Sequence, residues 1–211
     1  MKVKRISQTD CLQTVILLSM AIFEDENARN MSNPIQQLHD SIELHPEFTW
    51  NSKTVLKRME IIKHKDTADQ RLFYVSSGSL RICWDDEATE HTIRFGYAGS
   101  FVTDLEAYIT NAPSPYYIQA LKQCEVKIIS KERFVKVLES DEALGQLWVQ
   151  ILQELVYQQM ERELDLLTAS PQKRYERVLQ RSPKVFQEIP HKYIAHYLRM
   201  APETLSRLKK S

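Results

Sequence analysis

The C-terminal stretch IPHKYIAHYLRMAPETLSRLKK, residues 189–210, contains two short helical patterns separated by a break. Apolar residues recur at helical spacing on both sides of the break, at Ile194, Ala195, Leu198, Leu205 and Leu208. About three residues join the two patterns, which is typical of a helix-turn-helix. Ala195 is small at the point where the second helix must cross closely. The stretch therefore predicts a helix-turn-helix at the end of the chain.

The second helix of this motif carries polar side chains that suit the edges of DNA bases. Arginine pairs with guanine through two hydrogen bonds, glutamate accepts from the amino group of cytosine, and hydroxyls pair with either kind of base. We expect four residues to face the bases: Glu203, Thr204, Ser206 and Arg207. Three lysines are expected at phosphates, where contacts position the protein without specifying a sequence: Lys192, Lys209 and Lys210. Any two helices with an intervening turn would give a similar pattern.

The charge distribution along the chain agrees with a polyanionic partner for this end. The 211 residues hold 28 Lys+Arg and 28 Asp+Glu, so the formal net charge is zero. Residues 1–169 carry 18 Lys+Arg against 25 Asp+Glu, whereas residues 170–211 carry 10 against 3. An acidic body (net −7) with a basic tail (net +7) indicates a nucleic-acid partner for the tail. A solvated basic surface remains the alternative.

The middle of the chain, from Lys53 to Ser130, has the pattern of an antiparallel β-structure. Short β-rich runs are separated by polar turns: LFYV (72–75), SLRICW (79–84), HTIRFGY (91–97), YYIQAL (116–121) and EVKIIS (125–130). Such spacing predicts a barrel or a sandwich and not βαβ units. A short amphipathic helix is expected before it, from Ser32 to about Glu47. The three cysteines, at positions 11, 83 and 124, are too far apart for a C-x-x-C metal site.

A long helix is predicted from Ala143 to Leu167, with no proline inside it. Its first half is apolar nearly all round, so it must be buried on every side. One face can cover the β-structure, and the other needs a partner, most simply the same helix of a second subunit. The residues expected to form this homodimer contact are Leu144, Trp148, Ile151 and Leu155. A central helix in a monomer is the alternative.

The first thirty residues differ from the rest. Basic residues precede the apolar run LQTVILLSMAIF (12–23), which is too short to span about 30 Å of hydrocarbon as a helix. The run imitates a signal peptide but has no convincing small-x-small cleavage site. Alternatively, Met31 is the natural start. We favour a segment without a targeting role and expect a cytoplasmic protein.

Together, these parts resemble the Crp/Fnr family of bacterial transcription regulators, in particular its short members from Bacteroidetes-like bacteria. The resemblance covers about residues 32–211. It rests on FYVSSGSLRI (73–82), TDLEAY (103–108), CEVKIISKERF (124–134) and, most specifically, residues 189–210. It implies an α+β chain with an N-terminal antiparallel β-roll, that is, a cyclic-nucleotide-binding-like jelly roll, followed by a long dimerisation helix. A C-terminal all-α helix-turn-helix domain without a wing hairpin completes it.

The resemblance also implies a division of the chain and roles for some residues. Residues 1–31 would be an N-terminal extension, which is not native if Met31 is the natural start. Residues 32–142 would be an effector-binding-like β-roll, 143–169 the dimerisation helix and 170–211 the DNA-binding domain. By analogy Glu203, Ser206 and Arg207 read the operator. Two positions depart from the family pattern: the usual turn glycine is Arg199, and the usual hydroxyl cap of the recognition helix is Ala201.

The effector pocket departs further from the family pattern. Aligning on Ile118 and Ala120 places the candidate pocket residues at Thr103, Asp104, Leu105, Ser114 and Tyr116. The arginine that would pair with a cyclic phosphate is missing, and Pro115 removes a backbone donor. No cation is evident for the anion, so we expect no cyclic AMP binding. Only Cys11 lies near the N-terminus, too few thiolates for an iron–sulfur cluster, and we expect neither a cofactor nor a metal.

Among classes of function, the sequence favours a DNA-binding regulator over an enzyme. No G-x-S-x-G, H-E-x-x-H or P-loop pattern accompanies the histidines. The expected partners are double-stranded DNA and a second copy of the chain, with RNA polymerase as a further candidate, an effector of unknown identity, and no membrane. The main alternative is a ligand-binding β-roll sensor whose DNA-binding motif is weakened or lost, because of Arg199 and Ala201.

Overall fold

The computed structural model describes residues 33–86 and 88–209. The predicted N-terminal extension, Cys11 and the predicted phosphate contact Lys210 lie outside these residues. The fold is α+β, as the sequence predicts.

The β-structure consists of two four-stranded antiparallel sheets that pack face to face. Their strand orders are β1-β8-β3-β6 and β2-β7-β4-β5, and all of their pairings are antiparallel. Such an arrangement of non-consecutive strands is a jelly roll. The strands in the described part of the chain are β1 (Ser52–Leu56), β2 (Ile61–Lys63), β3 (Leu72–Ser77), β4 (Ser79–Asp85), β5 (Glu90–Tyr97), β6 (Phe101–Val102), β7 (Tyr117–Ala120) and β8 (Cys124–Ile129).

The core of the β-roll forms because apolar residues alternate along these strands and meet between the sheets. Val75 of β3 pairs with Val126 of β8, and Leu80 of β4 pairs with Ala120 of β7, and all four side chains are buried. The β3–β4 turn needs Gly78, whose φ is +87°. A Cβ there would lie 2.3 Å from the carbonyl oxygen of Gln123. Any other residue would therefore push β8 away.

Helices cover the ends of the roll and continue beyond it. They are α1 (Pro34–Leu44), α2 (Leu105–Thr110), α3 (Lys131–Ser140), α4 (Glu142–Leu167), α5 (Pro171–Arg181), α6 (Val185–Glu188), α7 (His191–Tyr197) and α8 (Pro202–Leu208). Leu38 and Ile42 of α1 are fully buried and pack in one cluster with Phe134 of α3 and Leu144 of α4. The first part of α4 thus belongs to the body of the chain.

The C-terminal helices do not stand apart from the β-roll. Val178, Ile194 and Leu205 share a buried cluster with Leu121, which lies between β7 and β8, and Phe95 of β5 packs against it. The C-terminal helices are therefore docked on the β-roll through an apolar contact.

Candidate nucleic-acid interface and effector pocket

Two prolines set the starts of the helix-turn-helix. Pro190 precedes α7, and Pro202 is the first residue of α8, where its fixed φ favours the helix and its missing N–H is not needed. Ala195 is completely buried between the helices, and Leu205 of α8 is 1% exposed. The two short helical patterns predicted from residues 189–210 are therefore present, with the apolar residues on the inside.

The turn between the helices has the departures that the sequence shows. Arg199 has a φ of +52°, the conformation for which glycine is preferred, and Ala201 makes no side-chain cap. Arg174 of α5 holds this turn from behind. Its guanidinium donates to the carbonyl oxygens of Leu198 at 2.8 Å and Arg199 at 3.1 Å, and also to that of Thr168 at 2.7 Å. Sequence reasoning missed Arg174, because its partners are distant backbone carbonyls.

The face of α8 that points to solvent carries the predicted base-reading residues. Glu203, Ser206 and Arg207 are exposed, and Thr204 is half-buried. Positions 203, 206 and 207 are three and four residues apart, so their side chains share one face of the helix. An exposed carboxylate, hydroxyl and guanidinium on one helical face can pair with base edges in a groove.

The predicted phosphate contacts lie beside this face. Lys192 is exposed, and its ammonium lies 4.6 Å from the ring centroid of Tyr193. Lys209 is exposed as well, with its ammonium 2.6 Å from Nε2 of His191. Both lysines are placed at the ends of α7 and α8, where a backbone phosphate would be approached.

Ion pairs connect α5 to the long helix α4. Asp165 is fully buried and accepts from Arg177 at 2.9 Å and from Arg181 at 2.5 Å. Glu161, one turn earlier, pairs with the same two arginines at 3.0 and 3.3 Å. Burial opposes the charge of Arg181, but the hydrogen bond to Asp165 and the negative charges of Asp165 and Glu161 together outweigh it, so the pKa of Arg181 is raised. These paired charges hold α5 against α4.

A second charged cluster joins α7 to the β-roll. Arg81 of β4 is 1% exposed and reaches Glu90 at 2.5 Å and the side-chain oxygen of Gln119 at 2.6 Å. Its guanidinium lies 4.7 Å from the ring centroid of Tyr193. The hydroxyl of Tyr193 also points to the sulfur of Met59 at 3.4 Å. Arg81 thus packs between the sheet and the helix-turn-helix, a role that the run SLRICW alone did not reveal.

The predicted effector pocket contains an ion pair that the sequence did not show. Asp104 accepts from the backbone N–H of Ala107 at 3.1 Å and from the hydroxyl of Ser114. Lys63 of β2 lies 2.5 Å from the same carboxylate, and neither side chain is exposed. The ammonium also donates to Ser114 Oγ at 2.9 Å and to the carbonyl oxygen of Tyr116 at 2.7 Å. The expectation that no cation lies here was therefore wrong.

The remaining predicted pocket residues lie close to this ion pair. Thr103 donates to the carbonyl oxygen of Arg71 at 3.0 Å, and Leu105 begins α2. The two elements that the alignment placed together, residues 103–105 and 114–116, do meet in the structure. They are held together by Lys63, whose charge is already used by Asp104.

Comparison with known proteins identifies the β-roll. Residues 53–141 match the family model described as the cyclic nucleotide-binding domain. Within these residues, the β-roll is therefore similar to cyclic nucleotide-binding domains. The matched range covers β1 to β8 and α3, so it includes the ion pair of Lys63 and Asp104. No curated protein matches the chain by sequence.

Solved structures show the same fold over most of the chain. A CooA variant from Carboxydothermus hydrogenoformans is 17% identical, with a TM-score of 0.62, covering 85% of this chain and 83% of that one. FixK2 from Bradyrhizobium japonicum is 16% identical, with a TM-score of 0.61 and coverages of 75% and 82%. CLP from Xanthomonas campestris, described as a c-di-GMP-responsive global regulator, is 19% identical, with a TM-score of 0.57 and coverages of 75% and 84%. The predicted resemblance to Crp/Fnr regulators is confirmed at the level of the fold.

The four predicted dimer-contact residues on α4 differ in how far they are buried within their own chain. Leu144 is 2% exposed and belongs to the core beside the β-roll, and Trp148 and Ile151 pack against that core. Leu144 is thus buried within its own chain. Leu155 is half-buried. An exposed apolar stripe begins just after it, at Val156, Tyr157, Met160, Leu164 and Leu167.

Two further features of the described residues bear on the sequence predictions. Cys83 and Cys124 are buried and free, and burial raises the pKa of Cys83 to about 12 and that of Cys124 to about 11. Both thiols therefore stay protonated at neutral pH in the core of the β-roll. Within residues 33–86 and 88–209, none of the helices combines the length and the apolar character needed to cross a bilayer.

Proposed function

We propose that this protein is a sequence-specific DNA-binding transcription regulator of Crp/Fnr type that acts as a homodimer on an inverted-repeat operator. The observation that carries the proposal is the exposed face of α8. Glu203, Ser206 and Arg207 lie there together, while Leu205 on the opposite face anchors the helix in the apolar cluster. The similar fold of CLP, which is described as a global regulator, supports this proposal.

The side chains on α8 divide the work of recognition. Arg207 offers the two parallel donors that guanine O6 and N7 accept, and Glu203 accepts from a cytosine amino group. Thr204 and Ser206 supply hydroxyls. Lys192 and Lys209 contact phosphates and add affinity without sequence preference; Lys210 is proposed for the same role from the sequence. The DNA-binding domain comprises residues 170–211 in this proposal.

A second copy of the chain supplies the second half-site. The exposed stripe of α4 has an apolar side chain once or twice per turn over three turns, and Met160 is 59% exposed. Burying such a stripe against its own copy gives a two-fold dimer. Two recognition helices then read half-sites centred roughly 10 bp apart. Residues 143–169 are the proposed dimerisation helix.

We propose that the effector is not cyclic AMP. In the predicted pocket, Lys63 is already neutralised by Asp104, so a phosphate would have to displace this bond or remain unpaired. Asp104 would also repel the phosphate. The protein is proposed to be cytoplasmic and without catalytic activity, with RNA polymerase as a further partner.

Selection of bound duplexes from a random pool tests the proposal. The purified full chain is expected to enrich an inverted repeat with half-sites about one helical turn apart. Binding to the enriched duplex should weaken steeply as salt rises, because each phosphate contact releases counterions. Enrichment of no common sequence would contradict the proposal.

The second candidate function is a sensor module whose DNA-binding motif is weakened. Arg199 at φ +52° and the missing cap at Ala201 favour it. The bonds of Arg174 to the turn carbonyls favour an intact motif instead. In the selection experiment, this candidate predicts weak binding to all duplexes alike.

A further inference from the structure

A cavity of about 130 Å³ lies where the β-roll meets the C-terminal helices. Its walls come from β5, α4, α5, α6 and α7. The polar groups in the walls include Arg94, Tyr97, Gln158, Arg181 and Ser182. This volume is room for about four water molecules, at roughly 30 Å³ each. The cavity is separate from the predicted effector pocket, whose Lys63 and Asp104 do not line it.

Arg94 differs from the other arginines at this junction. Arg81, Arg177 and Arg181 are each paired with a carboxylate. Arg94 instead donates to two neutral amides, that of Gln158 at 3.1 Å and, at 3.4 Å, that of Gln159.

Among residues 33–86 and 88–209, Arg94 makes no ion pair. The cavity therefore contains a guanidinium whose positive charge is not neutralised by a carboxylate of these residues.

A second arginine without an ion pair lies behind the cavity wall. Arg162 of α4 is 9% exposed, and its guanidinium lies 3.6 Å from the ring centroid of Tyr197, which lines the cavity. One of its terminal nitrogens donates to the carbonyl oxygen of Tyr197, and the other, Nη1, is buried without a hydrogen-bond partner.

Burial lowers the pKa of Arg94 and of Arg162, whereas that of carboxylate-paired Arg81 is raised. A desolvated charge without a counterion is unfavourable.

We propose that this cavity binds a small oxyanion, with a phosphate or carboxylate group held by Arg94. A guanidinium presents two parallel donors that match either group. Tyr97 and Ser182 offer hydroxyls from the β-roll and from the C-terminal helices, so one anion can be held from both sides. The volume admits a single phosphate or a short carboxylate.

The position of the site gives the anion a structural consequence. Arg94 belongs to β5, Gln158 to α4, and Ser182 follows α5, so an anion held among them joins the three parts of the chain. Binding of the anion should therefore stabilise the arrangement in which the C-terminal helices are docked on the β-roll. The binding itself does not depend on the proposed DNA-binding function.

Isothermal titration calorimetry with the full chain tests the site. Inorganic phosphate and succinate are titrated separately at an ionic strength held constant with sodium chloride, which distinguishes phosphate from carboxylate chemistry. The wild-type chain is expected to bind at least one of them, one per chain. Arg94→Gln should weaken that binding at least tenfold, and Arg94→Lys, which keeps the charge, should weaken it less.

The controls separate the cavity from general positive charge. Arg133 of α3 is exposed, donates to Thr49 and does not line the cavity. Arg133→Gln should therefore leave anion binding unchanged. Ser182→Phe should abolish binding by filling the cavity while keeping Arg94, so the test does not depend on one variant folding well. Absence of binding by both anions, or equal binding by wild type and Arg94→Gln, would overturn the proposal.

Discussion

Replacing Lys63 by methionine tests whether the ion pair in the predicted effector pocket holds the β-roll together. Lys63 and Asp104 have no exposed side-chain surface, and the ammonium lies 2.5 Å from the carboxylate. Methionine keeps the length of the side chain but leaves Asp104 as a buried charge with only Ser114 and the N–H of Ala107 as partners. Removing one member of a buried pair costs about 3–5 kcal/mol.

Urea denaturation followed by circular dichroism measures this cost. Lys63→Met should lower the free energy of unfolding by about 3–5 kcal/mol. The double variant Lys63→Met/Asp104→Asn should recover part of the loss, because asparagine is neutral and still caps α2. The difference between the two variants separates the cost of leaving Asp104 charged and unpaired from the cost of the lost packing of Lys63.

A matched exposed pair provides the control. Lys136 and Glu47 lie 3.4 Å apart with side chains 75% and 58% exposed. Lys136→Met should change the free energy of unfolding by less than about 1 kcal/mol. A loss below about 1 kcal/mol for Lys63→Met, or a double variant as unstable as the single one, would refute the reasoning.

Three further predictions concern ligand, assembly and stability. Calorimetry with cyclic AMP should show no micromolar binding, because Lys63, the cation of the pocket, is already paired with Asp104. A micromolar dissociation constant would overturn this prediction. Met160→Glu/Leu164→Glu should convert a dimer into a monomer in sedimentation, whereas Val55→Glu, an exposed apolar residue on β1, should not; a monomeric wild type would contradict the assembly. Ala201→Ser should raise the free energy of unfolding by about 1 kcal/mol by capping α8; no rise in the melting temperature would show that the turn is held by other contacts.

The strands and helices were largely predictable because their signals are local. The run SLRICW, which was predicted to be a strand, forms β4. The two helical patterns on either side of Arg199 form α7 and α8. The family resemblance placed Arg199 at a turn position where glycine is usual, and its φ of +52° agrees with that position.

Lys63 could not be found in the same way. Its strand β2 is only three residues long, and its partner Asp104 is 41 positions away, joined only by the closure of the roll. A lysine in a polar stretch is ordinarily exposed. Arg94 and Arg174 were missed for a related reason, since their surroundings come from the docking of the C-terminal helices.

The long helix shows where a pattern is ambiguous. Apolar residues on all sides of α4 predicted burial on all sides, but they did not say which partner covers which residue. The structure assigns Leu144 to the core of its own chain and leaves Met160 and Leu167 exposed, the latter by 74%. The dimer contact proposed for α4 is therefore centred nearer its C-terminal half.

In the proposed function, Arg207 of α8 reads DNA bases. The most direct test measures the affinity of Arg207→Ala for the selected operator and for a scrambled duplex, with Lys209→Ala as the control. Loss of a base contact should cost about 1–3 kcal/mol per half-site on the operator alone and relax specificity at one base position. Lys209→Ala should weaken both duplexes alike and reduce the log–log salt slope by about 0.9. Equal loss on both duplexes for Arg207→Ala would contradict the account and leave the basic tail as an electrostatic patch.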